Sequence, residues 1–124
     1  MAGQLGPYHR AWSLFLLDHN RRVPEVLENV QDELVSRKDI YGYDLLAWAL
    51  YKSGRDAEAE SAIKSALKLG TRDAMLFYHA GMIERSLGNN ATARAYLENA
   101  LALNPYFHPT QPAEIRSVLK GMEG

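Results

Sequence analysis

The sequence predicts an all-α fold in which helix–turn–helix hairpins stack into one continuous array that ends in a C-terminal capping helix. Residues 39–70 align with residues 73–104 at a constant offset of 34 residues, so the chain contains an internal repeat. Within each repeat, apolar residues recur at the i, i+3, i+4 and i+7 spacing of one face of an α-helix. A period of this length is typical of stacked helical-repeat proteins, whose units bury their apolar faces against their neighbours.

The two repeats carry matching residue types where helices would pack or turn. The matched pairs are Tyr43 with Phe77, Ala47 with Gly81, Gly54 with Gly88, Ala59 with Ala93, Ala66 with Ala100, Leu67 with Leu101, and Leu69 with Leu103. We refer to residues 39–73 as repeat 1 and to residues 74–107 as repeat 2.

Each repeat resembles a tetratricopeptide repeat, whose pattern is W-x2-L-G-x2-Y, then A-x3-F, then P. Repeat 1 reads Tyr43-x2-Leu46-Ala47-x2-Leu50 and then Ala59-x3-Ile63, with Thr71 at the proline position. Repeat 2 reads Phe77-x2-Ala80-Gly81-x2-Glu84, then Ala93-x3-Leu97 and Pro105. The resemblance implies a right-handed superhelix of paired helices. The tandem also looks like the C-terminal repeats of bacterial tetratricopeptide-repeat proteins.

Residues 1–38 are predicted to form a degenerate hairpin of the same type, after a loose end at residues 1–6. A helix is expected from Tyr8 to Asp18, and Asn20 lies 34 residues before Gly54, where the first helix of a repeat should stop. Pro24 suits the first turn of a second helix. The apolar stripe of that helix would be Val23, Val26, Leu27, Val30 and Leu34. About three stacked hairpins are needed for such an array to be stable alone, which favours a hairpin here.

The helices of repeat 1 are predicted from their apolar faces. The first helix would present Tyr43, Leu46, Ala47 and Leu50, and the second Ala59, Ala62, Ile63, Ala66 and Leu67. Small residues at matched positions, such as Ala59 and Ala93, would let two helix backbones approach closely. Adding methylene groups at such a contact typically costs about 1–3 kcal/mol.

Glycine, asparagine and aspartate mark the predicted helix ends. Asp56 and Asn90 are expected to cap the second helix of each repeat. A left-handed backbone is expected at each helix end, because glycine and asparagine adopt it most easily. The residues concerned are Gly54 and Gly88 after the first helices, and Gly70 and Asn104 after the second helices.

Residues 108–124 are predicted to form the capping helix. The run His108-Pro109-Thr110-Gln111-Pro112 interrupts the preceding helix twice, and Pro112 can begin a last helix that extends to Met122. Its apolar side would consist of Ile115, Val118, Leu119 and Met122. Terminal repeats need such a cap, because they have no further neighbour to cover them.

Composition and charge exclude several classes of partner. The 124 residues are 47% hydrophobic and 23% charged, which is an ordinary composition for a folded protein. A net charge of −1 with mixed signs predicts no nucleic-acid partner. No apolar run approaches the length of a membrane span, and no targeting signal is evident, so a cytoplasmic location and no membrane partner are expected. The chain may be a fragment of a longer protein; it has no cysteine for disulfides or thiol chemistry.

No pattern of catalytic or metal-binding residues occurs in the sequence. P-loop, nucleophile-elbow and G-x-G-x-x-G sequences are absent. The four histidines show no spacing typical of metal ligands, and they are His9, His19, His79 and His108. Glu58 and Glu60 would point to different sides of a helix and cannot act as a pair. The sequence therefore predicts no enzyme, no cofactor and no metal site.

A candidate binding surface follows from the resemblance, which implies a concave groove lined by the first helix of each repeat. Relatives usually bind an extended peptide or a partner helix there. The groove residues would be Tyr41, Asp44, Trp48, Tyr51 and Lys52 in repeat 1, and Met75, Tyr78, Met82, Arg85 and Ser86 in repeat 2. Aromatic and methionine side chains are favoured at binding surfaces. The alternative is that these aromatic residues pack on one another or beneath the C-terminal helix.

The predicted function is that of a protein–protein interaction module, a scaffold or adaptor that binds a protein or peptide partner in this groove. The alternative is a structural, self-associating segment of a larger tetratricopeptide-repeat protein, which would form a homo-oligomer. A carboxylate-clamp chaperone adaptor is not expected, since such adaptors use lysine and asparagine where this chain has Asp44, Trp48, Tyr78 and Met82. Asp44 would repel a carboxylate.

Overall fold

The computed structural model describes residues 7–36, 38–70 and 72–123, and in these ranges it contains seven α-helices and no strand. The predicted all-α fold class is therefore confirmed. The helices are α1 (Pro7–Asp18), α2 (Val23–Leu34), α3 (Ile40–Lys52), α4 (Asp56–Lys68), α5 (Ala74–Ser86), α6 (Asn90–Leu103) and α7 (Gln111–Glu123). The predicted loose end at residues 1–6 and the predicted role of Thr71 lie outside the described residues.

The chain divides into two compact units, the first ending at Leu69 and the second beginning at Gly70. In the first unit α3 packs mainly on α4, α2 packs on α3, and α1 contacts both α2 and α3. In the second unit α5 packs on α6, and α7 packs on α6. Each repeat thus forms a pair of packed helices. The division into residues 1–38, 39–73, 74–107 and 108–124 as one continuous array stays a prediction.

Close helix contacts in both repeats depend on small residues. Ala47, Ala59 and Ala93 are completely buried. A Cβ atom at Gly81 would lie 2.5 Å from Leu97 Cδ2 and 3.3 Å from the Ala93 carbonyl oxygen, so α5 and α6 approach too closely there for a larger residue. The matched small residues therefore mark the places where two helices meet.

The apolar stripe predicted for α2 is largely buried. Val26, Leu27, Val30 and Leu34 are in the core, and Val23 at the first position of the helix is half-buried. Pro24 lies in the first turn of α2, as predicted. Asn20, just after α1, has a left-handed backbone with φ 55°, which confirms that it ends a helix as Gly54 does.

Three of the four predicted left-handed ends are confirmed. Gly54, Gly70 and Gly88 have φ values of 78°, 89° and 85°. The prediction for Asn104 is wrong, because its backbone is extended with φ −161°. Pro105 follows it, and a residue before proline is disfavoured in helical conformations. The Asn104 side chain accepts a hydrogen bond from the Tyr106 backbone N–H at 2.9 Å instead.

The predicted caps Asp56 and Asn90 are also wrong, since each is the first residue of its helix. The capping positions are Arg55 and Asn89, and neither makes a side-chain capping bond. Arg55 instead donates hydrogen bonds of 2.8 and 2.7 Å to Glu58 in the first turn. This contact lowers the pKa of the exposed Glu58 carboxyl.

Two aspartates that the sequence analysis did not single out cap the first helix of each repeat. Asp39 accepts a hydrogen bond from the Gly42 N–H at 2.8 Å, and Asp73 accepts one from the Met75 N–H at 2.8 Å. A side-chain acceptor at this position satisfies an N–H that has no partner within the helix. The two aspartates are 34 residues apart, so the repeat includes its own starting signal.

Replacing Ala93 with leucine is expected to lower the free energy of unfolding by about 1–3 kcal/mol, because the larger side chain overpacks the contact between α5 and α6. Ala95→Leu is the matched control, since Ala95 is exposed on the same helix. Chemical denaturation of both variants measures the difference. Ala59→Leu and its exposed control Ala57→Leu repeat the test on α4, and equal midpoints within both pairs would contradict the predicted packing register.

Candidate protein-binding site

Burial divides the ten predicted groove residues into two groups. Four of them are buried in the fold, namely Asp44, Trp48, Tyr78 and Met82. Six are half-buried or exposed, namely Tyr41, Tyr51, Lys52, Met75, Arg85 and Ser86. In both repeats the buried residues occupy the middle of the predicted face, and the accessible residues lie towards its ends.

In the first unit, α1 covers the middle of this face of α3. Asp44 is 0% exposed and forms an ion pair with Arg10, whose Nη2 lies 2.8 Å from Asp44 Oδ2. Trp48 is 1% exposed, and its Nε1 donates a hydrogen bond of 2.9 Å to Asp18 Oδ1. Trp48 and Asp44 therefore lie in the core of this unit rather than at an open surface.

Arg10 and Asp18 are the residues that sequence reasoning missed. They lie eight residues apart on α1, and each partners one polar side chain of α3. A signal was present, because Arg10 precedes its partner Asp44 by 34 residues, the period of the repeat. Opposite charges at this offset are suited to pair between equivalent helices of neighbouring hairpins.

The two ends of α3 carry accessible aromatic rings, each close to a cation. Tyr41 is 45% exposed, and the Arg10 guanidinium carbon lies 4.6 Å from its ring centroid. At the other end, the Tyr51 ring stacks on Trp48 at 4.7 Å, and Lys52 Nζ lies 5.2 Å from the Trp48 ring centroid. Ten residues of helix separate Tyr41 from Tyr51, which corresponds to about 15 Å. We call these two groups the aromatic–cation pairs of α3.

In the second unit, the segment that follows α6 covers the middle of the corresponding face of α5. The Tyr78 hydroxyl donates a hydrogen bond to Glu114 of α7, and the Tyr78 ring lies 6.0 Å from the Phe107 ring. Tyr78 is accordingly buried, together with Met82 on the same helix. For Tyr78, packing beneath the C-terminal helix is thus what the structure shows.

Histidine and carboxylate positions provide no sign of reactive chemistry. Across residues 7–36, 38–70 and 72–123, histidine, aspartate and glutamate side chains do not gather in threes that could hold a metal ion. His79 is completely buried beside the Tyr78 ring, at a centroid distance of 5.5 Å. Among the described helices, none combines the length and apolar character needed to cross a membrane.

Comparison with known proteins identifies the class of fold. A tetratricopeptide repeat model matches residues 76–107, which lie within repeat 2. The structure is similar to the NMR structure of the first TPR domain of the human RPAP3 protein, with a TM-score of 0.73 and 16% sequence identity. The similarity covers 92% of this chain and 89% of that chain. No curated protein sequence matches this one.

These findings confirm the predicted resemblance. The chain contains a tetratricopeptide repeat and has the fold of a tetratricopeptide-repeat domain. Domains of this class generally serve as protein–protein interaction modules. The likeness to bacterial repeats in particular stays a prediction.

Proposed function

We propose that this protein is a protein–protein interaction module that binds a peptide or a partner helix along α3, acting as a scaffold or adaptor. The observation that carries the proposal is the two aromatic–cation pairs of α3, Tyr41 with Arg10 and Tyr51 with Lys52. Aromatic side chains offer a large contact area and lose little conformational freedom on binding. Stacking on a neighbouring cation or ring restricts these rings further before a partner arrives.

The chemistry of the two pairs suggests what the partner presents. The Arg10 charge is paired with Asp44, whereas the Lys52 ammonium lies over the faces of Trp48 and Tyr51. A peptide with an apolar side chain for each ring and a carboxylate near Lys52 would therefore fit. The span of about 15 Å corresponds to about four or five residues of an extended peptide.

Met75 and Arg85 are proposed as contact residues on the second unit's own surface, with the buried Tyr78 and Met82 as support beneath them. Met75 is half-buried and Arg85 is exposed. Methionine is well suited to such contacts, since its flexible side chain adapts to different partners.

We further propose that the protein is neither a carboxylate-clamp adaptor nor an enzyme, and that it does not bind nucleic acid. The four positions that would form the clamp are buried, and Asp44 is an acid whose charge is already paired. Amidating the C-terminus of a peptide partner should therefore leave its affinity unchanged.

A partner captured from the source organism and identified by mass spectrometry permits a quantitative test. Tyr51→Ala and Lys52→Glu are expected to weaken its binding by about tenfold or more, because centrally placed aromatic and charged residues carry most of the affinity. Tyr106→Ala and Lys68→Glu are the matched controls, since both side chains are exposed on other parts of the surface. Calorimetric titration of the purified partner gives the affinities, and thermal unfolding confirms that the variants are folded.

Undiminished affinity in both α3 variants would contradict the proposed surface. Light scattering addresses the alternative of self-association. A chain that stays monomeric alone and forms a defined complex with the partner supports the interaction module. A stable homo-oligomer that persists at low concentration and ignores the partner favours the structural role.

A further inference from the structure

We propose that the outward face of α1 is a second docking surface, separate from α3, and that its occupant is an acidic amphipathic helix of a partner protein. The surface consists of Trp12, Phe15 and His19, which we call the aromatic stripe. These residues are spaced i, i+3 and i+7, so they share one face of the helix.

The aromatic stripe is ordered and open. Trp12 is 51% and Phe15 47% exposed. Their rings are stacked with a centroid distance of 5.5 Å and an interplanar angle of 13°, and the Phe15 and His19 rings are 4.4 Å apart. The opposite face of α1 is buried through Ser13, Leu16 and Leu17. The aromatic residues are thus surplus to the packing of α1 within its own unit.

The internal repeat indicates what kind of contact this face can make. Asn20 and Gly54, both left-handed, set α1 and α3 in the same register, with Phe15 equivalent to Ala49. Ala49 is completely buried, and it lies on the side of α3 away from the Ala47 and Leu50 face that belongs to the repeat pattern. The helix α2 packs against α3. The face that α3 buries in the fold is therefore the face that α1 leaves open.

The helix that the chain itself packs on α3 has a distinctive composition. α2 buries Val26, Leu27, Val30 and Leu34. It carries four acids, Glu25, Glu28, Asp32 and Glu33, and no lysine or arginine. A chain that covers this face of α3 with an acidic amphipathic helix provides a direct precedent for the equivalent face of α1.

Charge at the end of the aromatic stripe favours the same occupant. Arg21 and Arg22 directly follow α1 and are both exposed. The acid closest to the stripe in sequence, Asp18, is half-buried and accepts the hydrogen bond from Trp48 Nε1. An apolar stripe closed by two arginines attracts a helix whose apolar face is flanked by carboxylates.

A synthetic peptide with the sequence of residues 23–34, stapled on its polar side to hold it helical, is the probe for this surface. Titrated into the full chain, it should bind saturably with a Kd below about 1 mM and shift the NMR signal of the Trp12 indole N–H. Phe15→Asp and Trp12→Ala should each weaken binding by about tenfold or more. Two variants are used so that a folding defect in one does not decide the result. Val35→Asp is the control, since Val35 is exposed elsewhere in the same unit and its variant should bind normally.

Charge is tested separately. Arg21→Glu should weaken binding, and so should a peptide carrying Glu25→Lys, Glu28→Lys, Asp32→Lys and Glu33→Lys. Lys52→Glu, which changes the α3 surface, should leave peptide binding unchanged, so the fate of this proposal is independent of the proposed function.

Four results would overturn the proposal. They are no saturable binding, equal binding of the acidic and lysine-substituted peptides, binding that survives Phe15→Asp because the peptide has replaced α2 on α3, and dimerisation of the free chain that Phe15→Asp abolishes. The last result would make a second copy of this chain the occupant. Sedimentation velocity of the free chain detects it before any peptide is added.

Discussion

Trp48→Ala is expected to lower the free energy of unfolding by about 3–5 kcal/mol, since it removes a large buried aromatic side chain. Trp48 is inaccessible, stacks on Tyr51, and donates its indole N–H to Asp18 across the contact between α1 and α3. Its loss would leave a cavity in the first unit and take away one of the two polar contacts that join α1 to α3. Urea denaturation followed by circular dichroism measures the change.

Trp12→Ala is the matched control for this experiment, because Trp12 is half exposed on the outer face of α1. It should cost no more than about 1 kcal/mol, which is typical of surface substitutions. Trp48→Phe keeps much of the packing and loses the hydrogen bond to Asp18, so its stability should lie between those of the wild type and Trp48→Ala. If Trp48→Ala were as stable as Trp12→Ala, Trp48 would have to lie at an open surface after all.

Ile115→Ala is expected to lower the stability of the second unit by about 2–5 kcal/mol, because Ile115 is completely buried where α7 packs in that unit. Removing residues 112–124 should cost at least as much. It would uncover Tyr78 and the apolar surface beneath α7, and exposed apolar surface promotes aggregation.

Ser117→Ala serves as the control, since Ser117 is exposed on the same helix. Thermal unfolding gives the stabilities, and light scattering reports aggregation of the shortened chain. A shortened chain that remains monomeric and as stable as the full one would show that α7 is not needed to cover the second unit.

The sequence by itself determined the helices, their order and most of their ends. The 34-residue offset placed the small residues Ala59, Ala93 and Gly81 at helix contacts, because close backbone approach admits no larger side chain there. It also predicted left-handed backbone at Asn20 and Gly88, where short turns require it. It failed at Asn104, where the proline that follows overrides the preference of asparagine.

Only the tertiary structure decided which aromatic residues are open. Helical spacing assigns Tyr41, Trp48 and Tyr51 to one side of α3, but it does not say which neighbouring helix covers that side. That depends on contacts between residues 30 to 36 positions apart, such as Trp48 with Asp18 and Tyr78 with Glu114. Burial is a property of the surrounding helices rather than of a residue's own periodicity, so Trp48 is part of the core and Phe15, with the same apolar character, faces outward.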